Sequence, residues 1–232
     1  MYQQNSYSLA QVELEMKNYI TKVYGWMTFA LIVTGFVAMA TSQSDALLKI
    51  IFGSRLIFFG LIILELVLVG ALAGFIQRIS ASAAMLIFVG YSALNGLTLA
   101  SVFVVFTSES IASTFFITAC TFGVMSVYGY FTKSDLTKIG NICFMALLGL
   151  IIASFVNILM KSSTLYWITT YAGILIFVGL IAYDTQKLKD INIIGNEGSE
   201  DDKKEAILGA LTLYLDFINL FLLLLRLFGR RK

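Results

Sequence analysis

The chain has 232 residues, 59% of them hydrophobic and 13% charged, with a formal net charge of +2. A soluble domain carries about 25% charged residues, so this composition excludes an ordinary soluble protein and points to a polytopic membrane protein. The small net charge implies no nucleic-acid partner, and the absence of histidine excludes histidine catalysis, histidine metal sites and histidine pH sensing.

In chain order, residues 1–22 are polar and read as a tail with an amphipathic turn near 12–20. No cleavable secretory signal is expected there, and the first span serves as the targeting signal. Apolar stretches long enough to cross a bilayer as helices are predicted at about 23–40, 56–76, 83–106, 111–131, 140–160, 165–183 and 206–228. A charged loop occupies 132–138. The longest polar segment runs from 184 to 205, and its 195–205 stretch reads as flexible. The short turns make sequential helices antiparallel neighbours, so 23–229 is expected to be one all-α domain of seven transmembrane helices. Cys120 and Cys143 fall inside spans and read as small apolar packers, not as a disulfide.

Lys and Arg in the short loops set the orientation. With seven crossings, one side holds Lys17, Lys22, Arg78, Lys133, Lys138, Lys187, Lys189, Lys203 and Lys204. The other side's loops hold Lys49, Arg55 and Lys161. That places the N-terminus in the cytoplasm. The basic end Arg226, Arg230, Arg231 and Lys232 then falls outside, against the rule.

The last span carries Asp216 at its midpoint. A carboxylate at the centre of a spanning helix costs about 2.5–3.5 kcal/mol on insertion scales, so it faces protein or water. Helical spacing puts Thr212, Asp216 and Asn219 on one stripe, continued by Leu223 and Arg226. The expectation is a central helix with a polar seam, with the other six wrapped around it.

Two further acids stand out. Glu65 lies near the middle of the second span, and Asp184 ends the sixth. Each acid reads either as a structural hydrogen bond that fixes helix packing or as a functional group, and depth favours function for Glu65 and Asp216. For Asp184 the structural reading is the strong one, an interfacial residue in contact with water. Carboxylates are hard oxygen ligands suited to calcium or protons. Two of them close together cannot easily both ionise and titrate as a unit. Arg78, at the end of the second span, either snorkels to the headgroups or pairs with an acid. Asn95 with Tyr91 and Thr98, and Asn157 with Ser154, read as interhelical hydrogen-bond strips more than as ligands. Gly70 and Gly74 are spaced for a close helix approach. Trp26 and Trp167 are placed as interfacial anchors. No P-loop, metalloprotease helix, nucleophile elbow or zinc cluster is present in the sequence. Neither enzymatic activity nor a bound cofactor is expected.

Leu213-Tyr-Leu-Asp-Phe-Ile-Asn-Leu-Phe221, followed by Leu225-Arg-Leu-Phe-Gly229, resembles the last-helix signature of the Bax inhibitor-1 family, the transmembrane Bax inhibitor motif proteins. Tyr183-Asp184 and Asn95-Gly-Leu-Thr-Leu99 are similar to its other motifs, and the resemblance covers residues 23–229. It implies six helices in antiparallel pairs around a seventh, and a pH-sensitive calcium leak. It implies that Asp184 and Asp216 face each other as a proton-sharing pair and that Arg78 locks onto them. Glu65, with Thr212 and Asn219, becomes the ion path, and Asp184, Asp216 and Glu65 become transient calcium ligands. The short N-terminal tail and small size fit a bacterial, inner-membrane member. The rival reading is a non-conducting regulator that binds a quality-control protease or other membrane partners. The feature that separates the two is whether the acids line one continuous polar path or are isolated by apolar layers.

Overall fold

The computed structural model describes residues 8–192 and 194–232; the expectation of a tail over residues 1–7 lies outside them. The described residues form helices α1 (Leu9–Ser42), α2 (Asp45–Gly53), α3 (Arg55–Phe75), α4 (Ala81–Val105), α5 (Ser108–Phe131), α6 (Thr137–Met160), α7 (Ser163–Ile191) and α8 (Glu200–Phe228). A single 3-10 turn, Ile76–Arg78, follows α3. Seven of these helices, all but α2, are long and apolar enough to cross a membrane. The protein is thus an all-α polytopic membrane protein.

Two boundaries differ from the sequence reading. The first helix begins at Leu9, where a reciprocal cap forms. Ser8 Oγ accepts from the Gln11 amide at 3.3 Å, and the Ser8 amide donates to Gln11 Oε1 at 2.9 Å. A helix of 34 residues is ~51 Å long against a hydrocarbon core of about 30 Å. Its polar N-terminal turns therefore extend beyond the bilayer core and were mistaken for a tail. Likewise, α7 continues to Ile191 and α8 starts at Glu200. The polar segment expected over 184–205 is therefore mostly helix, with a connection of only 192–199. Ser199 caps α8 by accepting from the Asp202 amide at 3.1 Å. The acids Glu200, Asp201 and Asp202 occupy the first turn, where the helix dipole favours them.

The chain divides into two compact units. The first is Met1–Ala100 with Leu188–Leu211, and the second is Ser101–Lys187 with Thr212–Lys232. The helices α4, α7 and α8 are continuous through the boundary. Of the seven apolar helices, α8 is the most enclosed, with 67% of its apolar window buried against 0–44% for the others.

In the first unit, α1 buries one stripe: Glu15, Tyr19, Val23, Met27, Ala30, Thr34, Ala38 and Thr41. It meets α4 where Thr34 Oγ1 donates to the Ser92 carbonyl at 2.8 Å. A Cβ on Gly96 would come within 2.7 Å of the Thr34 carbonyl oxygen, so only glycine permits this approach. By contrast, Gly70 and Gly74 have nothing within 4 Å of a notional Cβ and make no close approach. The 192–199 connection is tied to α1. Glu15 accepts from the Gly195 amide at 2.8 and 3.0 Å, and Lys22 pairs with Asp202 at 2.6 Å. The flexible loop expected there is instead fastened through both carboxylates.

In the second unit, α8 stacks Phe217 against Phe115 and Phe122 of α5, with ring centroids 5.3 and 5.5 Å apart. The residues after α8 run back along the α4–α5 turn. The Thr107 amide donates to the Arg230 carbonyl and the Lys232 amide to the Val105 carbonyl, each at 2.9 Å.

Candidate functional site

Asp184 lies on α7, two turns before the helix ends, and Asp216 lies on α8. Reading α7 only to 183 left the two acids at different depths; the longer helix removes that difference. Both belong to the second unit, and their carboxyl groups meet side chain to side chain. Asp216 is 5% exposed. Its Oδ2 is buried and accepts no bond from an N–H or hydroxyl among the described residues. An ionised carboxylate only accepts, so two carboxyl groups hydrogen-bond to one another only when one carries a proton.

The local sequence explains why α7 can bring Asp184 here. A Cβ on Gly129 of α5 would fall on the Ala182 carbonyl oxygen, and one on Gly140 of α6 would fall on the Tyr183 ring. The two glycines thus let α5 and α6 close on the residues just before Asp184. On the other side, Thr185 Oγ1 donates to Ser126 Oγ at 3.5 Å. Gln186 holds the 132–136 loop: its Oε1 accepts from the Leu136 amide and its Nε2 donates to the Ser134 carbonyl, each at 2.9 Å. In that loop, the Thr137 bond to Asp135 holds the exposed Asp135 carboxyl below its ordinary pKa.

The pair opens into a cleft of about 860 Å³ formed by α6, α7 and α8 within the second unit. Thr212, Asp216 and Asn219 line it from α8, Asp184 and Lys187 from α7, and Asn141 and Ser154 from α6. The seam predicted on the last helix is therefore one wall of a real cavity. From Thr212 to Arg226 this wall is ~21 Å long at 1.5 Å per residue. Asn219 turns its amide nitrogen onto its own helix, donating to the Leu215 carbonyl at 2.8 Å.

Glu65 and Arg78 belong to the first unit. Glu65 Oε1 accepts from Thr98 Oγ1 at 2.9 Å, so the polar strip on α4 does bond between helices. Asn95 Nδ2 donates to Tyr91 Oη at 3.2 Å, and Asn95 Oδ1 is buried without a partner among the described residues. Arg78 closes the 3-10 turn with its guanidinium 5.8 Å from the Phe75 ring centroid. On α6 the expected interhelical strip is local instead. Asn157 Oδ1 accepts from the Ser162 amide at 3.0 Å, and Ser154 donates to the Leu150 carbonyl at 2.8 Å. Among the described residues no group of three or more Asp, Glu or Cys is arranged to hold a metal ion. Cys120 and Cys143 are free thiols.

The sequence reading missed two groups in the cleft. The sequence reads Arg226 as the end of a stripe and as part of the basic end, yet its guanidinium stacks 4.9 Å from the Tyr166 ring centroid at the cleft's end. Lys187 was counted only for orientation, yet it lines the cleft one turn from Asp184. Lys187 lies three residues from Asp184, and Arg226 lies seven, two helical turns, from Asn219, spacings that keep each on the same helix face as a predicted site residue.

Seven apolar helices, an enclosed last helix and a carboxyl pair in an intramembrane cleft define an integral membrane protein with an ionisable interior. Comparison with known proteins gives the lineage. The family model described as "Inhibitor of apoptosis-promoting Bax1" matches residues 16–232, and the chain belongs to this Bax inhibitor family. It is 51% identical to the protein of Escherichia coli named inner membrane protein YbhL, over 97% of each chain. It is 43% identical to a protein of Borreliella burgdorferi over 95% of each chain. It is also 34% identical to one of Streptococcus pyogenes named as a membrane protein, over 95% of this chain and 96% of that one.

Proposed function

We propose that the chain is a pH-sensitive calcium leak channel of a bacterial inner membrane, with its N-terminus in the cytoplasm and its conducting state set by the Asp184–Asp216 pair. The observation that carries this reading is the meeting of the two carboxyl groups in a cleft whose wall also presents Thr212 and Asn219. An intramembrane acid marks an ion or proton path by default, and carboxylate and carbonyl oxygens suit calcium. Each proton added to the pair removes one negative charge from the cleft. The closed state is the one held by that charge, so the leak rises as pH falls. Glu65 serves the ion path, and Arg78 enters as the lock that the family resemblance assigns. The reading requires no cofactor and no bond-making step.

The test is calcium flux into liposomes containing this protein alone, measured over a pH series. Flux above protein-free liposomes, rising with acidity, supports the channel. Absence of flux from folded protein would refute it and leave the non-conducting regulator of membrane partners.

A further inference from the structure

We propose that the cleft between α6, α7 and α8 holds an anionic phospholipid of the surrounding bilayer, with its phosphate on Arg226 and one acyl chain along α6. The lipid occupies the lateral, α6 side of the same cleft, beside the seam that carries the carboxyl pair, and its test reads lipid contact and not calcium flux.

The cleft is open sideways to hydrocarbon. Its α6 wall presents Phe144, Ile151, Phe155 and Ile158, which are 58, 44, 66 and 68% exposed within an apolar span. Their spacings of seven, four and three residues make one helix face. The facing wall is Leu222 and Leu223 of α8. A water-filled groove would be poorly lined by such residues, whereas an acyl chain matches them.

Charge fixes the headgroup end. The cleft holds two basic residues, Lys187 and Arg226, and two acids, Asp184 and Asp216. Lys187 already faces Asp184. Arg226 is ten residues beyond Asp216, ~15 Å along the helix, and it makes no ion pair among the described residues. Its planar fork matches a phosphate in two-point geometry. No acid occurs from Phe217 to Lys232, while Arg230, Arg231 and Lys232 add positive charge at the same end. That asymmetry favours an anionic headgroup over a zwitterionic one.

Depth agrees. Arg226 lies in the last turn of α8, α6 ends at Met160, and Tyr166 beneath the guanidinium is in the first turn of α7. Trp167 stacks on Tyr171 with centroids 6.0 Å apart and is 41% exposed, as an aromatic belt at headgroup level requires. The ~15 Å from Arg226 to Asp216 is half the ~30 Å hydrocarbon core. A lipid of one leaflet therefore fits with its chain end near the carboxyl pair, closing the sideways opening.

The test uses the full chain with Trp26→Phe, so that Trp167 is the sole tryptophan, excited selectively over the tyrosines. Liposomes carry phosphatidylglycerol or phosphatidylcholine with brominated acyl chains, which quench indole on contact. Phosphatidylglycerol is expected to quench at a mole fraction lower by on the order of fivefold, the ratio for about 1 kcal/mol per basic residue at a membrane surface. Arg226→Gln should bring the two lipids to parity, with Arg226→Lys between. Equal quenching by both lipids in the parent, or an undiminished preference in Arg226→Gln, overturns the site and leaves only annular lipid. Should Arg226→Gln lose the parent's thermal transition, Ser154→Phe fills the cleft and leaves the guanidinium in place. It should lower quenching by phosphatidylglycerol, and unchanged quenching overturns the proposal equally.

Discussion

Replacing Asp216 by Asn tests the proton-sharing mechanism most directly. The amide keeps the shape and a donor for Asp184, so the contact between α7 and α8 survives. What it loses is the ability to titrate. Two carboxylates in hydrogen-bond contact place their charges ~4 Å apart, and at an effective dielectric of about 20 they repel by about 4 kcal/mol. At 1.4 kcal/mol per decade, that is a ceiling of just under about a thousandfold on any two-state equilibrium the pair controls. Asp216 is 5% exposed, so solvent screens little of this. In liposome flux assays over a pH series, the wild type should lose leak as pH rises. Asp216→Asn and Asp184→Asn should each hold a leak that varies by no more than about twofold, a change worth only ~0.4 kcal/mol. If both variants fold, as judged by their thermal transitions, and both keep the wild-type pH profile, then the pair does not set the leak. The reasoning from carboxyl contact to gating then fails, though the fold stands.

Three further outcomes follow from particular contacts. Gly140→Ala, which places a methyl on the Tyr183 ring, should cost about 1–3 kcal/mol in thermal or denaturant unfolding; Gly70→Ala, in open space, should change stability by no more than about 0.5 kcal/mol. Lys22→Ala leaves Asp202, 2% exposed, with only the Gly198 amide at 2.7 Å among the described residues; a loss of about 1.5–3 kcal/mol is expected, read together with faster hydrogen exchange in 194–199. Glu65→Gln keeps an acceptor for Thr98, so it should fold normally, lower calcium flux severalfold and leave the pH profile unchanged. A Glu65→Gln flux equal to wild type would remove that residue from the path.

An inward-facing Asp216 was legible because a charged residue in an apolar helix has few places to go, and the Thr212–Asp216–Asn219 stripe states the direction; its pairing with Asp184 was implied by the family resemblance alone. Hydropathy, however, tracks the bilayer rather than the helix. It stopped the first span at residue 23 although the buried stripe through Glu15 and Tyr19 continues the same spacing. It also treated 195–205 as loop, although Ser199 stands three residues before Asp202 in the pattern of a helix start. The short α2 was missed because nine residues cannot cross a membrane, though Ser44 marks its start by accepting from the Leu47 amide at 3.4 Å. Tertiary facts such as Gly129 against Ala182 have no periodic signature. Nothing along the chain distinguishes Gly129 from Gly70, and only the fold shows which one has a neighbour.

The enclosure of α8 has a consequence for biogenesis. This helix is delivered to the membrane after the other six spans, yet it is the most enclosed of the seven. Until it arrives, α7 stands inserted with Asp184 lacking its partner, and the grooves destined for Phe217 and Leu220 lie open. A nascent chain halted before Thr212 therefore holds an unmatched acid in hydrocarbon, which by insertion scales is a burden of about 2.5–3.5 kcal/mol. Arrival of α8 and pairing of the acid become the same event, and a chain without α8 is distinguishable from one that has it by its own chemistry.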